Sequence, residues 1–364
     1  MLDVKFFVKL LNLSQKEKIL LDLYIKKSVT KEETDHLLYD FDYDIEKEKL
    51  TFNFLLAQLF QNNPQIEIPK DIKPRLEGVL RLFQYYNVPL LLGLKQLSKK
   101  LNENDIPVLL VKGAAMRILE PNKARMMYDA DCAVPKEKFD KAVEISKSLG
   151  FKINGIYTNA FAIIKDSKQQ IDLHHSLVKT YKDSNKIYKQ LFDNAKKYNF
   201  YGSTVLIPNT EDFIFLLFNN GFDNIIYTQP FYKNVSWLFD GIYIIKNNKN
   251  INWNIIFEKA KETETLAQIK VMLELFNFFA PDIISKDIIS AICLSEKEQK
   301  NFDFYIKTHL FFSKAQHLKI QIKQATFFNK LPFVYQFLYL KIIQKIPIIK
   351  NLFFDKVANR MFKI

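Results

Sequence analysis

The run RMMYDADCAV, Arg125 to Val134, sets two aspartates one residue apart inside an apolar, strand-like stretch, and it constrains the fold more than any other feature of the chain. In a β-strand, residues i and i+2 project to the same side, roughly 7 Å apart at the backbone. Asp129 and Asp131 can therefore converge on one cation or a metal pair, while Ala130 turns to the opposite face. A D-x-D pair also occurs on solvated edges, so the neighbouring segments decide its meaning.

Upstream, IPVLLVKGAAMRIL (Ile106 to Leu119) predicts a short buried strand over Val108 to Val111, a turn at Lys112-Gly113 and a helix from about Ala114. Such a unit aims free backbone N–H groups and the positive end of a helix dipole at a ligand, and Gly113 lets the backbone approach without a Cβ in the way. Phosphate is the natural guest. Downstream, QQIDLHHSL (Gln169 to Leu177) alternates as a strand, with Asp172 and His174 on one face and Ile171 and Leu173 on the other. A third carboxylate is thus available.

In this order the motifs resemble the polymerase-β-type nucleotidyltransferase superfamily. More narrowly, the chain is similar to an uncharacterised bacterial nucleotidyltransferase group with a strand ending in Lys-Gly, an Arg shortly before Asp-x-Asp, and a later Ile-Asp-Leu-His. Here these are Lys112-Gly113, Arg125 before Asp129 and Asp131, and Ile171-Asp172-Leu173-His174. Fainter continuations in Asn209 to Gly221, Val235 to Ile245 and Ile251 to Glu262 extend the resemblance from about Leu101 to Pro281. Departures occur at Gly113-Ala114-Ala115, where the superfamily usually has Gly-Ser or Gly-Gly, at Ala130, where a bulky aliphatic is common, and at His175, where an aromatic is common. A His sometimes seen on the following helix is replaced by Asn219 or Asn220.

The resemblance implies an α+β fold, a mixed sheet flanked by helical regions, and a two-metal transfer of a nucleoside monophosphate from an NTP to an acceptor hydroxyl. Asp129, Asp131 and Asp172 are then the catalytic and metal-holding residues, with Mg²⁺ as the expected ion and Mn²⁺ as the alternative, because hard cations take carboxylate and phosphate oxygens. Lys112, Gly113, Ala114, Arg125 and His174 fall to the nucleotide. Arg125 serves an ion pair as readily as a phosphate. His174 reads as a hydrogen-bonded brace beside an acid before a proton shuttle, and His175 as a core or surface residue. The implied acceptor is a small molecule or glycan-pathway intermediate. An RNA-directed enzyme, a kinase-like variant and a non-catalytic module keeping the fold are the other readings.

The chain has 364 residues and 48% hydrophobic content, enough for a large core and two or three domains. Only eight glycines favour helix outside the catalytic strands. Five histidines without paired Cys or His spacing argue against zinc. The two cysteines, Cys132 and Cys293, suggest no disulfide framework, and Cys132 reads as a small hydrophobe facing away from the acids. The opening MLDVKFFVKLLNLSQKEK turns to charge too soon for a secretory signal, and no run is long and apolar enough to span a membrane. A cytoplasmic protein is expected.

Four regions are predicted: helical residues 1–100, interrupted by the polar, proline-bearing Asn62 to Pro74; a catalytic core over 101–207; a helical region over 208–313, with Asn209 or Thr210 as its cap; and a tail over 314–364. Asp240 lies in the apolar helix WLFDGIYII, where a structural ion pair is preferred over a reach into the cleft. From Lys314 to Ile364 ten Lys or Arg stand against one acid, Asp355, so this stretch carries a net +9 of the chain's +13. Its aromatic content fits a helix pair packed on the core with solvated lysines, peripheral contact with an anionic membrane at the inner face, or nucleic-acid binding.

Overall fold

The computed structural model describes residues 3–26, 28–119, 127–157, 159–166, 169–178, 185–227, 235–281 and 283–307. Arg125 and the basic tail over 314–364 lie outside the described residues. The chain divides into two compact units, Met1–Tyr305 and Ile306–Ile364, and the sheet and its flanking helices belong to the first.

The N-terminal region is helical, and local chemistry sets where its helices start. Asp3 caps α1 (Val4–Leu11) by accepting from the Lys5 amide. Ser14 and Glu17 form a reciprocal capping box on α2 (Gln15–Ile25), and Thr30 and Glu33 form another on α3 (Lys31–Asp35). Each box satisfies two backbone donors that a helix start leaves without partners. α4 (Leu50–Asn62) is buried almost all round, from Phe52 through Phe60. After the Pro-bearing connection, α5 (Lys73–Asn102) runs for 30 residues, starts with Pro74 in its first turn and carries Pro89 inside it. It spans roughly 45 Å at 1.5 Å per residue. That length lets it pack on α4 and reach the sheet at two separate strands.

The sheet has seven strands among the described residues: β1 (Leu109–Leu110), β2 (Ala130–Ala133), β3 (Lys152–Ile156), β4 (Ala160–Lys165), β5 (Gln169–His174), β6 (Lys196–Phe200) and β7 (Ser203–Ile207). Their order is β3-β4-β5-β2-β1-β7-β6. β1 pairs antiparallel with β2 and parallel with β7, β2 runs parallel to β5, and hairpins close both edges. This is the α+β architecture expected, a mixed sheet with helical flanks. α5 packs on β5 and β7, joined there by α7 (Phe139–Ser148), while α6 (Lys112–Leu119) lies against β2.

Strand parity explains the core. Ala130, Cys132, Ile171 and Leu173 are fully buried, and their i+1 neighbours Asp131, Asp172 and His174 point to the other face. A one-residue slip of β5 against β2 would bury Asp172 among aliphatic side chains, so the hydrophobic pattern itself fixes the register. Over the polar face lies a helical cluster in which α9 (Thr210–Tyr227) packs against α10 (Ser236–Asn247), α11 (Trp253–Glu262) and α12 (Leu266–Phe279). α9 begins where Asn209 Oδ1 accepts from the Asp212 amide at 2.8 Å, the cap foreseen from the sequence. Gly241 permits the close approach of α10 to α12, since a Cβ there would collide with the Phe276 ring.

Two local expectations are corrected, both at the first strand and helix. The first strand is shorter than Val108 to Val111, and the following helix starts at Lys112, before the expected Ala114. At this turn Lys112 itself takes the left-handed backbone, with φ of 50°. The β6–β7 hairpin, within the expected 101–207 core, places β7 beside β1 with β6 as the edge strand.

Candidate active site

The site assembles where β1 ends, β2 begins and β5 runs alongside β2. Asp131 faces Asp172 across the parallel pair β2–β5, and Ala133 faces His174 one step on. Asp129 lies just before β2, and Met127, two residues earlier, donates its backbone N–H to Asn87 Oδ1 on α5 at 3.2 Å. Beyond the far end of β2, the Tyr188 hydroxyl of α8 (Asn185–Asp193) bridges the carbonyls of Val134 at 2.6 Å and His174 at 3.1 Å, holding the two strands in step. Neither Asn87 nor Tyr188 carried any sequence signal, because each acts through a backbone group of a residue distant in the chain.

Asp131 is the hub. It is only 5% exposed, and its Oδ1 accepts from Lys112 Nζ at 2.5 Å and from His174 Nε2 at 2.9 Å. Asn159 Nδ2 lies 3.4 Å from both His174 Nδ1 and the Ser176 carbonyl. An NH₂ group so placed donates to each, which leaves the proton of the imidazole on Nε2, aimed at Asp131. His174 therefore braces the aspartate, as the sequence suggested. His175 points away and meets the Phe139 ring edge-on at 4.7 Å.

The charges explain what the cluster lacks. Burial raises Asp131, but Lys112 and His174 outweigh it and hold the carboxyl below the usual range. Burial, reinforced by Asp131 and Asp172, pushes Asp129 up to about 7. Burial and Asp131 also push Asp172 up. For Lys112, burial works against the ammonium, yet Asp131, Asp129 and Asp172 together raise it. Among the described residues three carboxylates thus share one ammonium, a surplus of negative charge that a divalent cation would offset.

The donor set fits such an ion. Ligand atoms of Asp131, Asp172 and His174 lie within 4.8 Å of one another, and oxygen donors predominate. Within that group both ring nitrogens of His174 are engaged, Nε2–H with Asp131 and Nδ1 with Asn159, so the carboxylate oxygens of Asp131 and Asp172 are the donors that face an ion, while Asp129 lines the adjoining cavity together with Asp131. Cys132 is wholly buried behind the acids, and burial pushes its thiol up.

Two cavities open from this point. One, of about 530 Å³, is lined by Asp172, His174 and Lys112 on the sheet side and by α9 and α12 opposite. The other, of about 220 Å³, is lined by Asp129, Asp131, Lys112 and Gly113, with Trp237 and Asp240 from α10. Val111, Lys112, Leu216 and Asn220 line both. Ala114, expected to face a nucleotide, is buried in the first turn of α6 and lines neither. Asp240, for which a structural ion pair or a reach into the cleft was expected, lines the smaller cavity. Asn219 and Asn220 stand on the wall of the larger cavity.

Away from the cleft, Lys259 of α11 donates to Asp212 Oδ1 of α9, both side chains being almost fully buried. Burial pushes Asp212 up in spite of that partner. The pair ties the start of the cleft-lining helix α9 to its neighbour.

The sequence that builds this sheet and its helical cover matches a known protein family. The family described as uncharacterised nucleotidyltransferase covers residues 47–280, well over half of the chain, and the protein belongs to it. It is an enzyme of the nucleotidyltransferase class. The matched region begins at residue 47, well before Leu101, and so takes in α4 and α5.

No curated protein matches the sequence. Among solved structures, the chain is similar to the solution structure of the antibiotic-resistance factor ANT(2'')-Ia, at 12% identity over 52% of this chain and 92% of that one, with a TM-score of 0.32. The crystal structure of ANT(2'')-Ia in complex with adenylyl-2''-tobramycin gives 10% identity, 52% and 98% coverage and a TM-score of 0.33. An antigenic nucleotidyltransferase-like protein from Paracoccidioides brasiliensis gives 15% identity, 57% and 95% coverage and a TM-score of 0.38.

Proposed function

We propose that the enzyme transfers a nucleoside monophosphate from an NTP to a hydroxyl of a small-molecule or glycan-pathway acceptor, with Mg²⁺ as its ion. The observation that carries this reading is the pairing of Asp131 with Asp172 at the junction of two cavities, with Lys112 lining both. Asp131 and Asp172, with Asp129 adjoining, hold the ion. When bound, that ion offsets charge on the phosphoryl oxygens and acidifies the acceptor hydroxyl.

The residues do the rest. Lys112 sits between the cavities and neutralises the triphosphate, its ammonium transferring from Asp131 to phosphate oxygen when nucleotide enters. Asp172 faces the larger cavity and takes the proton of the attacking hydroxyl. His174, its Nε2–H held on Asp131, keeps that carboxylate ionised and aligned throughout. The attacking oxygen forms a bond to the α-phosphorus as the bond to the bridging oxygen breaks, and pyrophosphate leaves.

Isotope placement tests the reaction class. With NTP labelled at the α-phosphate, label is expected in the acceptor product and unlabelled pyrophosphate in solution. Transfer of label from the γ-phosphate instead would make the enzyme a kinase on the same platform.

A further inference from the structure

Lys112 and His174 meet Asp131 on one and the same oxygen. Lys112 Nζ stands 2.5 Å from Oδ1, and His174 Nε2 stands 2.9 Å from it. A carboxylate oxygen offers two lone-pair directions, so these two donors fill the positions through which Oδ1 could coordinate a metal. An ion on this oxygen must displace one of them or stand close beside both.

The two donors differ in how readily they can leave. The His174 side chain is 6% exposed, lies on a strand paired with β2 and meets Asn159 through its other ring nitrogen. The Lys112 side chain is 36% exposed, and it lines both cavities. Its backbone is anchored at the start of α6, and rotation about the four-carbon stem moves the ammonium without moving the helix. Lys112 is the donor that yields.

Charge decides when it yields. Mg²⁺ holds its oxygen ligands at about 2.0–2.1 Å, so an ion on Oδ1 would lie at most about 4.6 Å from an ammonium still in place. At that spacing a dication repels the ammonium twice as strongly as a second unit charge would. A free ion brings no anion for Lys112 to move to. A free triphosphate brings oxygens for Lys112, but it meets Asp129, Asp131 and Asp172 with no cation between. Only the metal complex of the nucleotide supplies both at once, a cation for the carboxylates and phosphate oxygens for the ammonium.

From this we infer that Lys112 is a built-in stand-in for the metal: in the nucleotide-free enzyme its ammonium occupies the coordinating position on Asp131 Oδ1, and the site admits its ion as the metal–nucleotide complex while holding off the free ion. The inference rests on the nucleotidyl-transfer reading above and adds to it the form in which ion and nucleotide enter.

Mn²⁺ alone, titrated into the nucleotide-free full chain and followed by the paramagnetic resonance of the unbound ion, tests it. Lys112→Met is expected to bind Mn²⁺ about tenfold more tightly than wild type, the scale of one charge-assisted contact. Lys112→Gly also removes the ammonium and suits the positive φ, so the same gain is expected there even if the methionine variant folds poorly. In Lys112→Met/Asp131→Asn the gain is expected to vanish, which locates it on Asp131. Equal Mn²⁺ affinity in wild type and both Lys112 variants, or a gain that survives the loss of Asp131, would overturn the assignment. The Mg²⁺ complex of a non-hydrolysable ATP analogue, titrated into wild type by calorimetry, keeps the two claims apart. If that complex fails to bind, the nucleotidyl-transfer reading fails; if it binds while the Lys112 variants leave Mn²⁺ affinity unchanged, only the role of Lys112 does.

Discussion

Asp131 and Asp172 stand directly opposite one another on adjacent parallel strands, and Lys112 from the neighbouring strand end caps Asp131 at 2.5 Å. Backbone register, rather than loop conformation, sets the separation of the two carboxylates. A site built on paired strands is rigid before any ligand arrives, which is the condition for electrostatic preorganisation.

Lys112 combines a strained backbone with a functional side chain. Lys112→Met and Lys112→Gly should both abolish nucleotide affinity, but they should differ in stability. Glycine relieves the positive φ, so the glycine variant is expected to be more stable than the methionine variant by about 1 kcal/mol. Chemical denaturation of the two checks this; equal stabilities would mean that the turn carries no strain.

The metal-free protein should show the cost of crowding carboxylates. Asp129 has a folded pKa of about 7, against roughly 3.9 in an unfolded chain. The folded state therefore binds the proton more tightly, and this group's contribution to stability is lost as pH rises from about 4 to about 7. Asn at this position cannot ionise. The melting temperature of Asp129→Asn should accordingly gain on wild type as pH goes up through that window without metal, and saturating Mg²⁺ should remove much of the difference. A gap that narrows with rising pH would contradict the assignment.

Asn159 is expected to act through His174. In Asn159→Leu the imidazole loses the donor at Nδ1 that keeps its proton on Nε2. Turnover should fall roughly tenfold, the scale of a lost supporting hydrogen bond in an active site. Nitrogen NMR should show His174 shifting toward a mixture of tautomers, and an unchanged spectrum would count against this role.

Lys259 and Asp212 form a buried pair, so removing one partner should cost far more than removing both. Lys259→Met is expected to destabilise by about 3–5 kcal/mol, and the double variant Lys259→Met/Asp212→Leu to recover most of that loss. Additive losses in the cycle would show that the two residues act independently.

Much of the site could be read from the chain because strand periodicity is local. The spacing of Asp129 and Asp131, and the alternation of Ile171, Asp172, Leu173 and His174, give the faces before any partner strand is known. What could not be read depends on contacts between distant segments. β7 joins the sheet beside β1 through Leu206 and Leu109, nearly a hundred residues apart. The α4 and α5 scaffold reads as generic amphipathic helix, although Asn87 on α5 orients the approach to Asp129. Nothing local marks Lys112 as a left-handed non-glycine residue, and such positions concentrate at functional sites. The lysine partner of Asp212 lies 47 positions away, beyond any helical spacing rule.

The central claim is that Asp131 and its neighbours hold an ion against an NTP. Calorimetric titration of each NTP with and without Mg²⁺, on wild type and on Asp129→Asn/Asp131→Asn, addresses it directly. Mg²⁺-dependent binding of at least one NTP by wild type, absent in the folded double variant, is the predicted result. Binding of NTP that persists unchanged in that variant, or that takes no notice of Mg²⁺, would contradict it.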